Sequence, residues 1–273
     1  MAGRGRHRGF VPALALLTLA VALMQIDVVR GAGATRGLRL LLACNLVLIV
    51  VALARISMRI VNDAIAQAQR DGRAEPGLVY LSRPPRRQLV IGCVLLHGAT
   101  EWAWPGHAAL PWLALAAAAA WLHLLDDWHI GRALLQRWAL ALYLVPAAVA
   151  LSYAALGLGL LLGEPAWASA GRHGLAIGGF ALAILLVLCI AGRAHVGLPA
   201  LAGWGFPLAV GGLLAAALAR AGMAIGLAGV GTVAFLTWLV VWGWVVWRLA
   251  PAWWQRRQDG RRGCDGPDDE QGC

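Results

Sequence analysis

His97 lies inside an apolar run of the chain, with Glu101 one helical turn beyond it. His123, Asp126 and Asp127 close the next apolar run, and His129 follows. His173 opens a later run, His195 follows its end, and Tyr143 and Tyr153 sit on the run before it. Imidazole nitrogens are good ligands for haem iron, copper and zinc, so histidines from neighbouring helices could hold a metal inside a bundle. Ionisable groups at membrane depth are costly, which makes these few residues the functional candidates. His97 stands out for its depth. His123 and His129 are six residues apart and share no helical face, so they read as helix caps or headgroup contacts, and His107 reads as a loop residue. Asp126 and Asp127 read as an interfacial salt bridge, with Arg132 a candidate partner, rather than as a proton path.

The elements that position these residues are set by composition. The chain has 273 residues, 60% of them hydrophobic and 13% charged, with a mean hydropathy of +0.70. A soluble domain carries roughly 25% charged residues, so lipid is the natural solvent for this chain. The 34 glycines suit close helix packing, and the 14 tryptophans suit the membrane interfaces. The run of Trp238, Trp242, Trp244, Trp247, Trp253 and Trp254 reads as an interface belt. Cys44, Cys93 and Cys189 lie in apolar runs and Cys264 and Cys273 in a polar tail, with no CxxC pair to signal zinc or redox chemistry. The net charge of +10 comes from arginines scattered between apolar runs, which form no nucleic-acid patch.

A spanning helix needs about 20 mostly apolar residues. The expectation is an all-α, polytopic transmembrane helix bundle of about eight spans: Phe10–Val28, Leu38–Ala54, Leu89–Ala103, Ala108–Leu125, Trp138–Leu162, Gly174–Gly192, Leu201–Ala219 and Met223–Leu249. The third is the weakest, being short and polar at its end, and also fits a re-entrant or tilted segment. The first, with Arg4, Arg6 and Arg8 before it and small residues after it, also fits a secretory signal peptide. Residues 1–254 read as one membrane domain, 55–87 as a cytoplasmic loop with a short helix around Asn62–Arg70, and 255–273 as a disordered cytoplasmic tail.

Eight spans place Arg30, Arg36, Arg39, Arg172 and Arg220 on one side and the other eighteen arginines on the opposite side. Positively charged loops stay in the cytoplasm, so both termini are expected there, in a bacterial inner membrane.

At the sixth span, His173-Gly-Leu-Ala-Ile-Gly178 opens the run and Arg193-Ala-His195-Val-Gly197-Leu-Pro199 closes it. This resembles the NnrS family, membrane proteins containing haem and copper and linked to nitric oxide. That family has a His-x4-Gly start to a span and a His-Thr-Gly-Arg-Pro-like turn after it; His173, Gly178, His195, Gly197 and Pro199 match without a gap, while Val196 and Leu198 replace the Thr and Arg. The family's preceding Arg is Ile190 here, and its His three residues before the span-five Tyr is Ala150. Tyr153-Ala-Ala-Leu-Gly-Leu-Gly-Leu resembles the family's Tyr-containing span, and Pro251 with Arg256-Arg-Gln-Asp259-Gly260 resembles its C-terminal ending. Arg55, with Asn62 and Asp63, resembles a worn Gly-Gly-Arg-x-x-Pro-x-Phe-Thr motif. Family members have more spans, so the resemblance reaches only their C-terminal two-thirds.

The resemblance implies nitric oxide or nitrosative-stress handling, with haem or copper as cofactor. His173 and His195 are the candidate metal ligands, with His97 a further cofactor-binding candidate. His173 and His195 are 22 residues apart on one helix, or about 33 Å, so they would serve two separate sites. A second reading is a diverged, metal-free membrane protein acting as a small-solute transporter or assembly partner. There is no G-x-S-x-G, HExxH, P-loop or nucleotide fingerprint, so no catalytic residue is assigned and a non-enzyme is the favoured reading. The expected partner is the lipid bilayer, with no nucleic acid.

Overall fold

The structure, a computed structural model, describes residues 10–193, 201 and 203–254, with side chains to residue 250. The described residues form eight helices and no strand. They are α1 (Phe10–Val29), α2 (Thr35–Arg70), α3 (Pro84–Ala103), α4 (Leu110–Leu125), α5 (Arg137–Leu161), α6 (Pro165–Gly192), α7 (Gly205–Ala224) and α8 (Val230–Trp254). Six of them, α1, α2 and α5 to α8, are long and apolar enough to cross a membrane. The chain is therefore an all-α, polytopic transmembrane bundle.

The two remaining helices differ for visible reasons. α3 is a continuous 20-residue helix, not a re-entrant segment, but Arg86, Arg87, Gln88, His97 and Glu101 make it polar. α4 has 16 residues and ends in a 3-10 turn over Asp126–Trp128. Prolines in the first turn start α3, α4 and α6, where the missing N–H would have had no helical partner.

Each helix packs against the next, so the bundle runs up and down, with α2 also meeting α5 and α6 out of sequence order. Close approach replaces the hydrophobic effect as the packing device in lipid. A Cβ at Gly171 of α6 would sit 2.6 Å from the Ser152 carbonyl of α5, so only glycine lets these backbones meet. α6 is irregular: residues Leu175–Ala181 and Leu188–Gly192 adopt wider π-helical turns.

The largest difference from expectation is α2. It has 36 residues, or about 54 Å, well beyond the roughly 30 Å hydrocarbon core. The stretch from Arg55, expected as loop with a short helix around Asn62–Arg70, is the same helix as far as Arg70, because no Gly or Pro interrupts it. Beyond the apolar section, Ser57, Val61, Ala64, Ile65 and Ala68 form a buried stripe at helical spacing. That stripe packs on the short helix Gly131–Leu135, and Gln136 Nε2 donates to the Ala64 carbonyl at 2.9 Å. α2 ends at Arg70 with Asp71 as its cap, and Gly72 turns the chain with φ 67°.

The connection after α2 is also folded. Asn62 Nδ2 donates to the Tyr80 carbonyl at 3.2 Å, and the Tyr80 N–H donates to Asn62 Oδ1 at 2.8 Å. This pins Tyr80 under Trp128, with ring centroids 4.9 Å apart, and Trp128 meets Tyr143 edge-on at 5.9 Å. Three aromatic rings thus close one end of the bundle. Trp238, Trp242 and Trp244 pack against the core, while Trp247 is exposed, so only part of the expected tryptophan belt faces outward. The side chains of Trp253 and Trp254, and the tail from residue 255, lie outside the described residues.

Candidate functional site

The end of the bundle opposite those rings holds the buried polar cluster. α3 carries His97 and Glu101 four residues apart, hence on one face, and both are buried. Glu101 Oε1 accepts from Arg39 of α2 at 3.2 Å and from Arg172 of α6 at 2.8 Å. Three helices therefore converge on one carboxylate. Arg39 and Arg172 are 35% and 26% exposed, so their guanidiniums reach from the bundle surface inward to a carboxylate that is only 7% exposed. One carboxylate between two permanent cations leaves a local surplus of one positive charge.

His97 lies beside this group and packs edge-on against Tyr153 of α5, with ring centroids 5.5 Å apart. Its Nε2 is buried and has no hydrogen-bond partner, and neither has Nε of Arg172. An unsatisfied buried polar atom is costly and calls for an explanation such as a missing ligand. A second ion pair adjoins the first. Asp27 of α1, 4% exposed, accepts from Arg36 Nη2 at 3.0 Å and from Trp102 Nε1 at 3.1 Å. Arg36 and Arg39 are one helical turn apart, and Trp102 follows Glu101, so the two carboxylates lie side by side and tie α1, α2, α3 and α6 together.

Residues 1–257 match the family described as NnrS protein. The chain belongs to the NnrS family. No curated protein and no solved structure matches it.

The NnrS assignment directs attention to the histidines. His173 follows Arg172 on α6 and is half-buried. Its Nδ1–H donates to the Ser169 carbonyl at 2.8 Å, which leaves Nε2 with the lone pair, the arrangement that orients a metal-binding imidazole. Among the described residues His173 makes no hydrogen bond or ring contact with His97. His195, with Gly197 and Pro199 of the same turn, lies outside the described residues. Among the described residues no three His, Cys, Asp or Glu side chains gather as a metal-ligand group. A copper centre of the usual three or four protein ligands is thus not built by these residues alone. Haem iron needs only one or two axial side chains, and a buried imidazole nitrogen with no partner fits that demand.

The acidic pair at the other end has a structural role. Asp127 Oδ1 accepts from Arg86 Nη1 at 2.8 Å, and Asp127 Oδ2 from the Arg83 N–H at 3.1 Å. Asp126 pairs with His123 at 2.8 Å and with Arg86 at 3.5 Å. The expected salt bridge is present, but its cation is Arg86 of α3 rather than Arg132, because α3 and α4 are antiparallel and bring residues 41 positions apart together. His129 Nδ1 bonds the Asp126 carbonyl at 2.8 Å, a capping contact as expected. Burial, reinforced by the nearby Asp127 charge, holds the Tyr80 phenol far above its ordinary value. In the exposed turn after α2, Arg73 holds the Asp71 carboxyl below the usual carboxylate range.

Sequence reasoning missed Asp27, Arg39 and Arg172 as members of the site. A signal was there: Asp27 and Glu101 are carboxylates in or at the ends of apolar runs on the arginine-poor side, and Arg36, Arg39 and Arg172 lie on that same side.

Proposed function

We propose that this NnrS-family protein handles nitric oxide or a related nitrosative species in the bacterial inner membrane, using a haem held at the cluster around His97. Copper is the second cofactor of the resemblance and would require donors beyond those the described residues gather. The observation that carries the reading is the unpartnered, buried Nε2 of His97, set against an ordered ion network at one end of an apolar bundle.

In this reading His97 would hold the iron through its imidazole, and His173, with its Nδ1–H already engaged by Ser169, would offer a further imidazole on α6. His195, which lies outside the described residues, would serve a separate site. A haem iron would supply nitric oxide binding and one-electron exchange. Arg39 and Arg172 both pair with Glu101 and place positive charge beside His97, which favours anionic groups such as carboxylates on the cofactor edge. Nitric oxide is small and uncharged, so the exposed apolar faces of the helices are no barrier to it. Both termini are read as cytoplasmic from the arginine distribution, with residues 1–254 as one membrane domain and 255–273 as a cytoplasmic tail.

The test is the visible spectrum and metal content of the full chain purified in detergent. The expected result is a Soret band that His97→Ala abolishes or shifts and that His107→Ala leaves unchanged. His173→Ala and His195→Ala, measured in parallel, assign the remaining ligands. A preparation from haem-sufficient cells with neither haem nor copper would overturn the reading and favour a metal-free transporter or assembly partner.

A further inference from the structure

A cleft of about 740 Å³ opens between α6, α7 and α8, away from His97. Ile177 of α6 forms one wall, Phe235 and Trp238 of α8 the other, and Arg220 and Met223 of α7 lie at its polar rim. Arg220 is the one charged residue in the lining. Among the described residues it pairs with no carboxylate: its guanidinium donates to the thioether of Met223, at 3.3 Å, whereas Arg36, Arg39 and Arg172 on the same sparse side pair with Asp27 or Glu101. A thioether is a weak acceptor and leaves most of the guanidinium fork free.

The walls point to the class of ligand. α8 packs chiefly on α7, and its Val233, Phe235, Leu236, Leu239 and Val240 are exposed, so the cleft opens toward lipid rather than water. A ligand entering there must carry apolar chains. Arg220 stands one turn from the end of α7, close to the polar interface, where its fork matches a phosphate bidentately. We propose that this cleft is a binding site for an anionic phospholipid, with the phosphate on Arg220 and an acyl chain between Ile177 and Phe235. The occupant is fixed by charge complementarity at the rim and by hydrocarbon walls, and the site is independent of whether His97 holds a cofactor.

The test uses the full chain purified in mild detergent, with thermal unfolding followed during titration with phosphatidylglycerol, phosphatidylcholine of the same chains, or inorganic phosphate. Phosphatidylglycerol should raise the midpoint of the wild type above the value reached with phosphatidylcholine, and inorganic phosphate should not. Arg220→Gln should abolish the difference between the two lipids. Thr232→Trp, an exposed position lining the cleft, should also abolish it by filling the acyl groove while leaving Arg220 in place. Equal stabilisation by both lipids, or an undiminished effect in Arg220→Gln, would overturn the proposal. A shift reproduced by inorganic phosphate alone would overturn the lipid as occupant. Because the readout needs no haem, its failure is distinct from failure of the cofactor reading.

Discussion

Arg172 donates to Glu101 at 2.8 Å across 71 positions of sequence, joining α6 to α3 at the rim of the bundle. Arg39 shares the same oxygen from the opposite flank, at 3.2 Å. The carboxylate is therefore the common node of three helices, and its loss leaves two cations facing each other.

Glu101→Gln should lower thermal stability in detergent by about 3 kcal/mol, because removing one partner of a buried ion pair leaves uncompensated charge. Partial exposure of both arginines sets the effect at the low end of that class. Glu101→Gln with Arg39→Gln should recover part of the loss, and an additive double variant would show that the two residues are not coupled.

Asp27→Asn should loosen α1 rather than the whole bundle. Asp27 holds Arg36 and Trp102, and α1 otherwise buries Ala13 in the main core and Ala20 in a small satellite with Leu40 and Cys44 of α2. Protease cleavage near residues 30–34 should accelerate several-fold while the midpoint of the remaining helices moves little. An unchanged cleavage rate would show that packing alone holds α1.

Alkaline pH should unlock the ring-closed end. The Tyr80 hydroxyl is held in its protonated form, so a folded protein resists its ionisation while an unfolded one ionises at about 10. Stability tied to Tyr80 is thus complete below that pH and declines as pH rises above it. Tyr80→Phe should flatten this decline, read as the midpoint against pH in detergent. A wild-type profile matching that of the phenylalanine variant would refute it.

Reporter fusions placed after Gly77 and after Gly163 should fall in opposite compartments, the first cytoplasmic. The two turns lie at opposite ends of the up-and-down bundle, and the arginine count decides which end is inside. Both reporters in one compartment would break the topology.

Six of the spans were legible because each is a long apolar run. α2 was half legible: the apolar section to Ala54 was plain, but the helix beyond it rests on the spacing of Val61, Ala64, Ile65 and Ala68 among polar residues, which resembles a loop by composition. The site was visible only as its histidines. Asp27, Arg39 and Arg172 became meaningful through contacts 9 to 75 positions apart in sequence, and no local pattern encodes such distances. Glu101 was read as a mark against the third span, whereas it joins that polar helix to α2 and α6 through Arg39 and Arg172. The reading of Asp126 and Asp127 as a salt bridge was right in kind, and only antiparallel packing of α3 and α4 selects Arg86 as the cation.

The packed rings of Tyr80, Trp128 and Tyr143 make the two ends of the molecule unequal. One end is held by ring-on-ring contact and the other by a carboxylate shared between two arginines. Salt should therefore loosen the two ends unequally, since added ions weaken partly exposed ion pairs and leave aromatic packing almost untouched.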